Sequence, residues 1–216
     1  MKSASSPDAR VSLRARFRTA TREAILDAAA ALMGAEGASQ TRMEDIAARA
    51  GVAVGTVYNY FEDRTALVLA LLETRSRTLM DALESPLERP KAKASATPAV
   101  AFEAQLEQFV ATLAAHFEAN RFLLGVLLED EQSRGVDAKS AARRAAMRGE
   151  MMVRAERLID RGIRAKALRK DDATVYAALL LGMVRGAALA SLTSGRPPGG
   201  SWTASVVRMF MHGAAR

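Results

Sequence analysis

The chain has 216 residues, half of them hydrophobic and a quarter charged, and no cysteine. It holds enough apolar material for one large core or two small ones, while disulfides, thiolate zinc sites and a cysteine nucleophile are excluded. The formal net charge of +7 and pI near 10.2 suit an anionic partner such as nucleic acid, although arginine and alanine are abundant throughout.

Charge position is more informative than the total. Residues 1–22 carry Lys2, Arg10, Arg14, Arg16, Arg18 and Arg22 against Asp8 alone, a local balance of +5. Residues 1–18 therefore read as a flexible basic arm, and Arg14, Arg16 and Arg18 are similar to minor-groove arms in being short, basic and unanchored; a solubilising tail is the other reading. The opening MKSASSPDAR has no apolar run behind its lysine and does not read as a secretory signal, so a cytoplasmic location is expected. The basic block from Arg134 to Lys170 is interspersed with acids and reads as a solvated helix face.

Nothing alternates with period two for long, and Ala, Leu, Arg, Glu and Met dominate, so the fold class is all-α with about nine helices. The first helix, about 19–34, puts Ile25, Ala28, Ala29 and Leu32 on one face and ends near Gly34 and Gly37. A second begins at TRME, where Thr41 and Glu44 have the spacing of a capping box, and ends at Gly51. A third runs from about Val54 to Tyr60, and Asp63 is placed to cap a fourth that continues to about Leu83. SPLERPKAKASATP, 85–98, has three prolines and no apolar periodicity and reads as a linker. Beyond it Phe102, Leu106, Phe109, Leu113 and Phe117 recur at helical spacing, and RFLLGVLLED (121–130) is apolar nearly all round, as a central helix is. Three more helices are expected over about 140–167, 171–193 and 201–212, the last two separated by the loop SGRPPGG. Within 173–194, Arg185 leaves a charge-free run of 12 residues, short of the roughly 20 that span a bilayer, so no membrane partner is expected.

The stretch MEDIAARAGVAVGTVYNYF, 43–61, fits two helices joined by a tight turn. Ala47 is small where the helices would cross, Gly51 can take the positive φ that the turn requires, and Ile46, Ala50, Val52 and Val57 can bury the pair against the first helix. The second half places Gly55, Thr56, Tyr58, Asn59 and Tyr60 on a face rich in donors with one point of close approach, as a helix reading DNA needs, whereas Val57 and Phe61 look like core. Arg64 opens the next helix, whose amino end can also face a phosphate. No GxSxG, glycine-rich phosphate loop or HExxH is present, and His116 and His212 are the only histidines. No catalytic residue, metal or cofactor is therefore expected. A small helical enzyme and a sequence-independent DNA-binding protein are the alternatives.

Residues 21–68, TREAILDAAAALMGAEGASQTRMEDIAARAGVAVGTVYNYFEDRTALV, with the core pattern DIAxxAGVxxGTxYxxF, resemble the DNA-binding domain of the tetracycline-repressor (TetR) family of bacterial transcription regulators. The resemblance implies a three-helix DNA-binding domain over 19–66 and a larger helical domain over 67–216 that binds a small ligand and dimerises. It implies a regulator, expected to be a repressor released from a palindromic operator in double-stranded DNA. It assigns DNA contacts to Thr41, Thr56, Tyr58, Tyr60 and Arg64; Arg16, Arg18, Arg42, Gly55 and Asn59 complete the candidate DNA-binding set. The chain departs from the family pattern at Ala38, where an aromatic is usual, at Gly55, and at Glu62 and Asp63, which add negative charge.

Beyond residue 84 the resemblance is one of length and layout only. Ala178, Gly182, Gly186 and Ala190 recur every four residues as a smooth stripe, which suits close helix approach. With the family's dimerisation through its last two helices, this stripe and Val206 and Phe210 are the candidate homodimer interface. For a small, largely apolar ligand the candidates are Phe109, His116, Met152, Glu156 and Met183. Of these His116 and Glu156 are polar residues on otherwise apolar faces, and the methionines supply an adaptable wall.

Overall fold

The computed structural model describes residues 7–38, 40–88, 97–122, 138–193 and 201–214. Among them are eight helices and no strand: α1 (Pro7–Glu36), α2 (Met43–Ala50), α3 (Val54–Tyr60), α4 (Arg64–Glu88), α5 (Pro98–Ala119), α6 (Ala138–Arg164), α7 (Ala173–Thr193) and α8 (Ser201–Ala214). The apolar run expected to make a further helix, RFLLGVLLED, lies outside the described residues from residue 123 onward, as does the SGRPPGG loop. The chain divides into two compact units, Met1–Leu72 and Glu73–Arg216.

In the first unit α1 packs on α2 and α2 on α3. Ile25, Ala29, Ile46, Ala47, Val57 and Leu67 lie at its centre, at or near zero exposure. α1 begins twelve residues before the apolar periodicity does. Proline suits a first helical turn, and the alanine- and arginine-rich segment behind it has high helix propensity, so from Pro7 onward the basic arm is helical. α1 closes at Gly37, whose φ is +92°.

The entry to α2 also differs from expectation. Its N-cap is Arg42, with no side-chain cap. Thr41, the expected capping residue, is 2% exposed and its hydroxyl donates to the Gly37 carbonyl at 3.0 Å, so it closes the α1–α2 corner and makes no capping box. At the far end Gly51 has φ +69°, and the amides of Gly51 and Val52 donate to the carbonyls of Ala48 and Ala47 at 3.2 and 3.0 Å. That is a Schellman closure with glycine at the left-handed position.

In α4 the Asp63 carboxylate accepts from the Ala66 amide at 2.7 Å, as a capping residue should. The helix then runs past Leu83 to Glu88, through the start of the expected linker, because Leu83 and Leu87, one turn apart, are both fully buried. Gln105 Nε2 donates to the Leu87 carbonyl at 3.2 Å and so ties down the helix end. The amino end of α5 is capped by Thr97, with Pro98 at the first helical position.

One core in the second unit joins Leu83 and Leu87 of α4, Phe109 of α5, Leu158 of α6, Leu180 of α7 and Phe210 of α8. α6 ends three residues earlier than its pattern suggests. Lys166 takes a left-handed φ of +56°, and its amide and that of Ala167 donate to Ile163 and Gly162. This second Schellman closure folds Ala167 and Leu168 back into the core. Glu84 on α4 lies 3.0 Å from Arg154 and 3.2 Å from Arg157, and Glu73 lies 3.3 Å from Arg143. α7 opens at Asp172, whose carboxylate accepts from the Thr174 amide at 2.9 Å. By length and composition α7 is long and apolar enough over Ala173–Ser191 to cross a bilayer despite Arg185, as a core helix also is, and Tyr176, Ala177, Leu180, Val184 and Ala188 are buried within the chain.

Candidate nucleic-acid interface

The helix pair α2–α3 is held from below. Ala47 and Val57 are buried to within 1% of full coverage, and the small side chain at 47 lets α3 come close. With Val57 and Phe61 turned inward, Gly55, Tyr58 and Asn59 are exposed and Thr56 and Tyr60 are half-buried. Tyr58 keeps 47% of its surface open, unlike a core aromatic. Two phenols, an amide and a hydroxyl can donate to phosphates or base edges.

Arg22 on α1 places its guanidinium carbon 5.5 Å above the Phe61 ring, a cation–π contact that fixes the carboxyl end of α3. Arg64 reaches backward as well: Nε donates to the Thr41 carbonyl at 3.4 Å and a terminal nitrogen to the carbonyl of Ala38. Arg64 thus braces the turn between α1 and α2, a role invisible in the sequence because its acceptors are backbone atoms 23 and 26 residues away. The start of α4 is occupied by the Asp63 carboxylate. Arg42, Arg16 and Arg18 are exposed, while Thr41 is buried.

Residues 25–71 match the family model described as bacterial regulatory proteins, tetR family. That match spans 47 of the 216 residues, from within α1 to within α4. The fold of the chain is shared with a TetR transcription regulator from Haloarcula marismortui, at a TM-score of 0.72 and 16% identity over 92% of this chain and 100% of that one. The regulator FadR of Bacillus subtilis, solved with stearoyl-CoA, aligns with a TM-score of 0.67 and 16% identity over 88% and 98% of the two chains. SmeT, the repressor of the Stenotrophomonas maltophilia multidrug efflux pump SmeDEF, aligns with a TM-score of 0.65 and 23% identity over 90% of each. No curated protein matches by sequence.

The ligand candidates named from the sequence all lie in the second unit. Phe109 is fully buried, and His116, Met152, Glu156 and Met183 are half-buried. His116 sits with its ring edge toward Phe117, centroids 6.2 Å apart, and its Nδ1 is 3.5 Å from the Asn120 amide nitrogen. Burial lowers its pKa from 6.5 to about 4, and the charge of Arg75 on α4 adds to the effect, so the imidazole is neutral at pH 7. Two polar residues of this unit escaped the sequence reading. Arg75 was hidden in a helix rich in charges, and Gln108, two turns before His116, has a buried Oε1 with no hydrogen-bond partner among the described residues.

The stripe Ala178, Gly182, Gly186 and Ala190 is exposed along α7, beside Val175 and Leu179 at 51% and 55%. Val206 and Phe210 do not share that outer face. Both are buried within the chain, with Phe210 edge-on to Tyr176 at 6.1 Å, because the inward face of α8 is the one that completes the core. Met209, 68% exposed, is what α8 presents outward.

Proposed function

We propose that this regulator is a homodimeric repressor acting in the cytoplasm. It binds a roughly palindromic operator in double-stranded DNA through α3 and leaves it when a small, largely apolar ligand enters the second unit. The observation that carries the DNA reading is the outward face of α3, where Gly55, Thr56, Tyr58, Asn59 and Tyr60 offer hydrogen-bonding groups while Val57 anchors the helix from behind. Thr56 and Asn59 would read base edges; Tyr58, Tyr60 and Arg42 would hold phosphates, positioning the helix without specifying sequence. Dimerisation through the exposed stripe of α7 would set two such helices one turn of DNA apart or somewhat more, about 34 Å.

The ligand reading rests on two half-buried polar groups of the second unit, His116 and Glu156, and on Phe109, Met152 and Met183, which belong to or pack against its core. A neutral imidazole is a hydrogen-bonding group that can be buried against an apolar molecule at small cost. α4 is continuous from Arg64 in the first unit to Glu88 in the second, which gives ligand occupancy a covalent path to the reading head. By linkage, DNA then weakens ligand binding by the same factor, typically about 5- to 150-fold.

Selection of bound duplexes from a random pool tests the reading. A two-fold symmetric consensus is expected; recovery of unrelated duplexes with equal affinity, lost together as salt rises, would leave a sequence-independent DNA-binding protein.

A further inference from the structure

We propose that the amino-terminal half of α1 is a rigid basic ridge that grips the phosphate backbone of the duplex flanking each half-site. The inference rests on the DNA-binding reading above and adds a second contact surface, a helix where an unanchored arm was expected. Arg14, Arg18 and Arg22 follow one another at four-residue spacing on a single continuous helix, so they rise about 6 Å per step along one side. No acid occurs between residues 9 and 22. Arg14 and Arg18 are exposed. Arg16, half a turn away, lies off the line.

The place of the ridge in the fold identifies its partner. Its inner end, Arg22, stacks over Phe61, the residue that caps α3. The line of guanidinium groups therefore starts at the carboxyl end of the reading helix, beside Tyr60, and continues outward from it. A duplex seated on α3 carries its backbone past this end, and planar guanidinium groups bind phosphates in bidentate fashion. Leu13 and Phe17, at 52% and 65% exposure, flank the ridge where deoxyribose faces can cover them. The contact carries no base information, so it adds affinity, salt dependence and footprint without changing which sequence is preferred.

The test uses the full chain and the duplex recovered by selection, prepared once with about ten extra base pairs on each side and once trimmed to the consensus. Binding is followed by fluorescence anisotropy across a potassium chloride series. Removing Arg14 and Arg18 together (R14A/R18A) should lower the slope of log affinity against log salt by about 0.9 per arginine in each bound protomer. That loss is expected on the long duplex only, with base preference unchanged. Ala15→Pro keeps every charge but ends the helix at that point, and should reduce the slope as much as Arg14→Ala does, with no further loss when the two are combined. An unchanged slope for R14A/R18A, or an equal loss on the trimmed duplex, would overturn the ridge. A normal slope in Ala15→Pro would overturn its rigidity and restore a flexible arm. If the wild-type chain shows no preference among duplexes, the operator reading itself fails, and the ridge falls with it; specific binding with unaltered slopes sinks the ridge alone.

Discussion

Phe102 on α5 occupies the space that any side chain at Gly162 on α6 would need. A Cβ at Gly162 would stand 2.5 Å from Phe102 Cζ and 2.8 Å from Leu168 Cδ1, and both partners are buried to within 2%. Gly162 is also the acceptor for the Schellman closure that returns Leu168 to the core. Gly162→Ala should therefore destabilise the protein by about 1–3 kcal/mol through overpacking, against a helix-propensity gain of about 1 kcal/mol. Chemical denaturation of Gly162→Ala, Phe102→Leu and the double variant checks this. The two changes should couple, the smaller side chain at 102 recovering part of the loss; strict additivity would show that the ring yields freely.

Arg64 should prove structural as well as DNA-facing. Its guanidinium satisfies the carbonyls of Ala38 and Thr41, so Arg64→Ala leaves acceptors short of donors beside a buried threonine and should cost about 1–3 kcal/mol without DNA present. Thermal melts of the free protein read this directly. A variant that melts like the wild type yet binds DNA poorly would reduce Arg64 to a phosphate contact.

Gly182 and Gly186 offer a clean probe of assembly, because nothing lies within 4 Å of a Cβ placed on either. Both positions are exposed, so leucine there (G182L/G186L) should be accommodated within one chain and raise helix propensity by nearly 1 kcal/mol per site. If the α7 stripe is the dimer contact, the double variant should nonetheless sediment as a monomer and lose operator affinity. Dimers of unchanged strength would move the interface elsewhere.

The His116 ring sets an acid sensitivity of definite sign. Its pKa falls from 6.5 unfolded to about 4 folded, chiefly through burial, so the unfolded chain takes up a proton first as pH drops. Stability should decline from about pH 6.5 down to about pH 4 and change no further from this group below that. Melting temperatures of wild type and His116→Gln across this window should diverge, the variant losing less. Parallel curves would mean that the imidazole protonates as readily in the folded protein as in the unfolded chain.

Where local chemistry decides a feature, the sequence alone determined it. The turn at Gly51 was legible because only glycine takes φ +69° without strain, and the cap at Asp63 because a carboxylate there can reach the orphan amide of Ala66. The alternation of Val57 and Phe61 with Thr56, Tyr58 and Asn59 likewise told inward from outward, since a short helix has only one side to bury. Features that rest on distant partners were decided by the tertiary structure. Thr41 reads as a cap until the Gly37 carbonyl is seen to take its hydroxyl, and Arg64 as a phosphate ligand until its backbone acceptors come into view. Val206 and Phe210 fall inward rather than onto the outer stripe because the core needed the apolar side of α8. The helix through residues 7–18 lacks any apolar period to announce it; it forms because strong helix formers extend a segment whose other end is already packed, and propagation adds a hydrogen bond per residue at little further entropic cost.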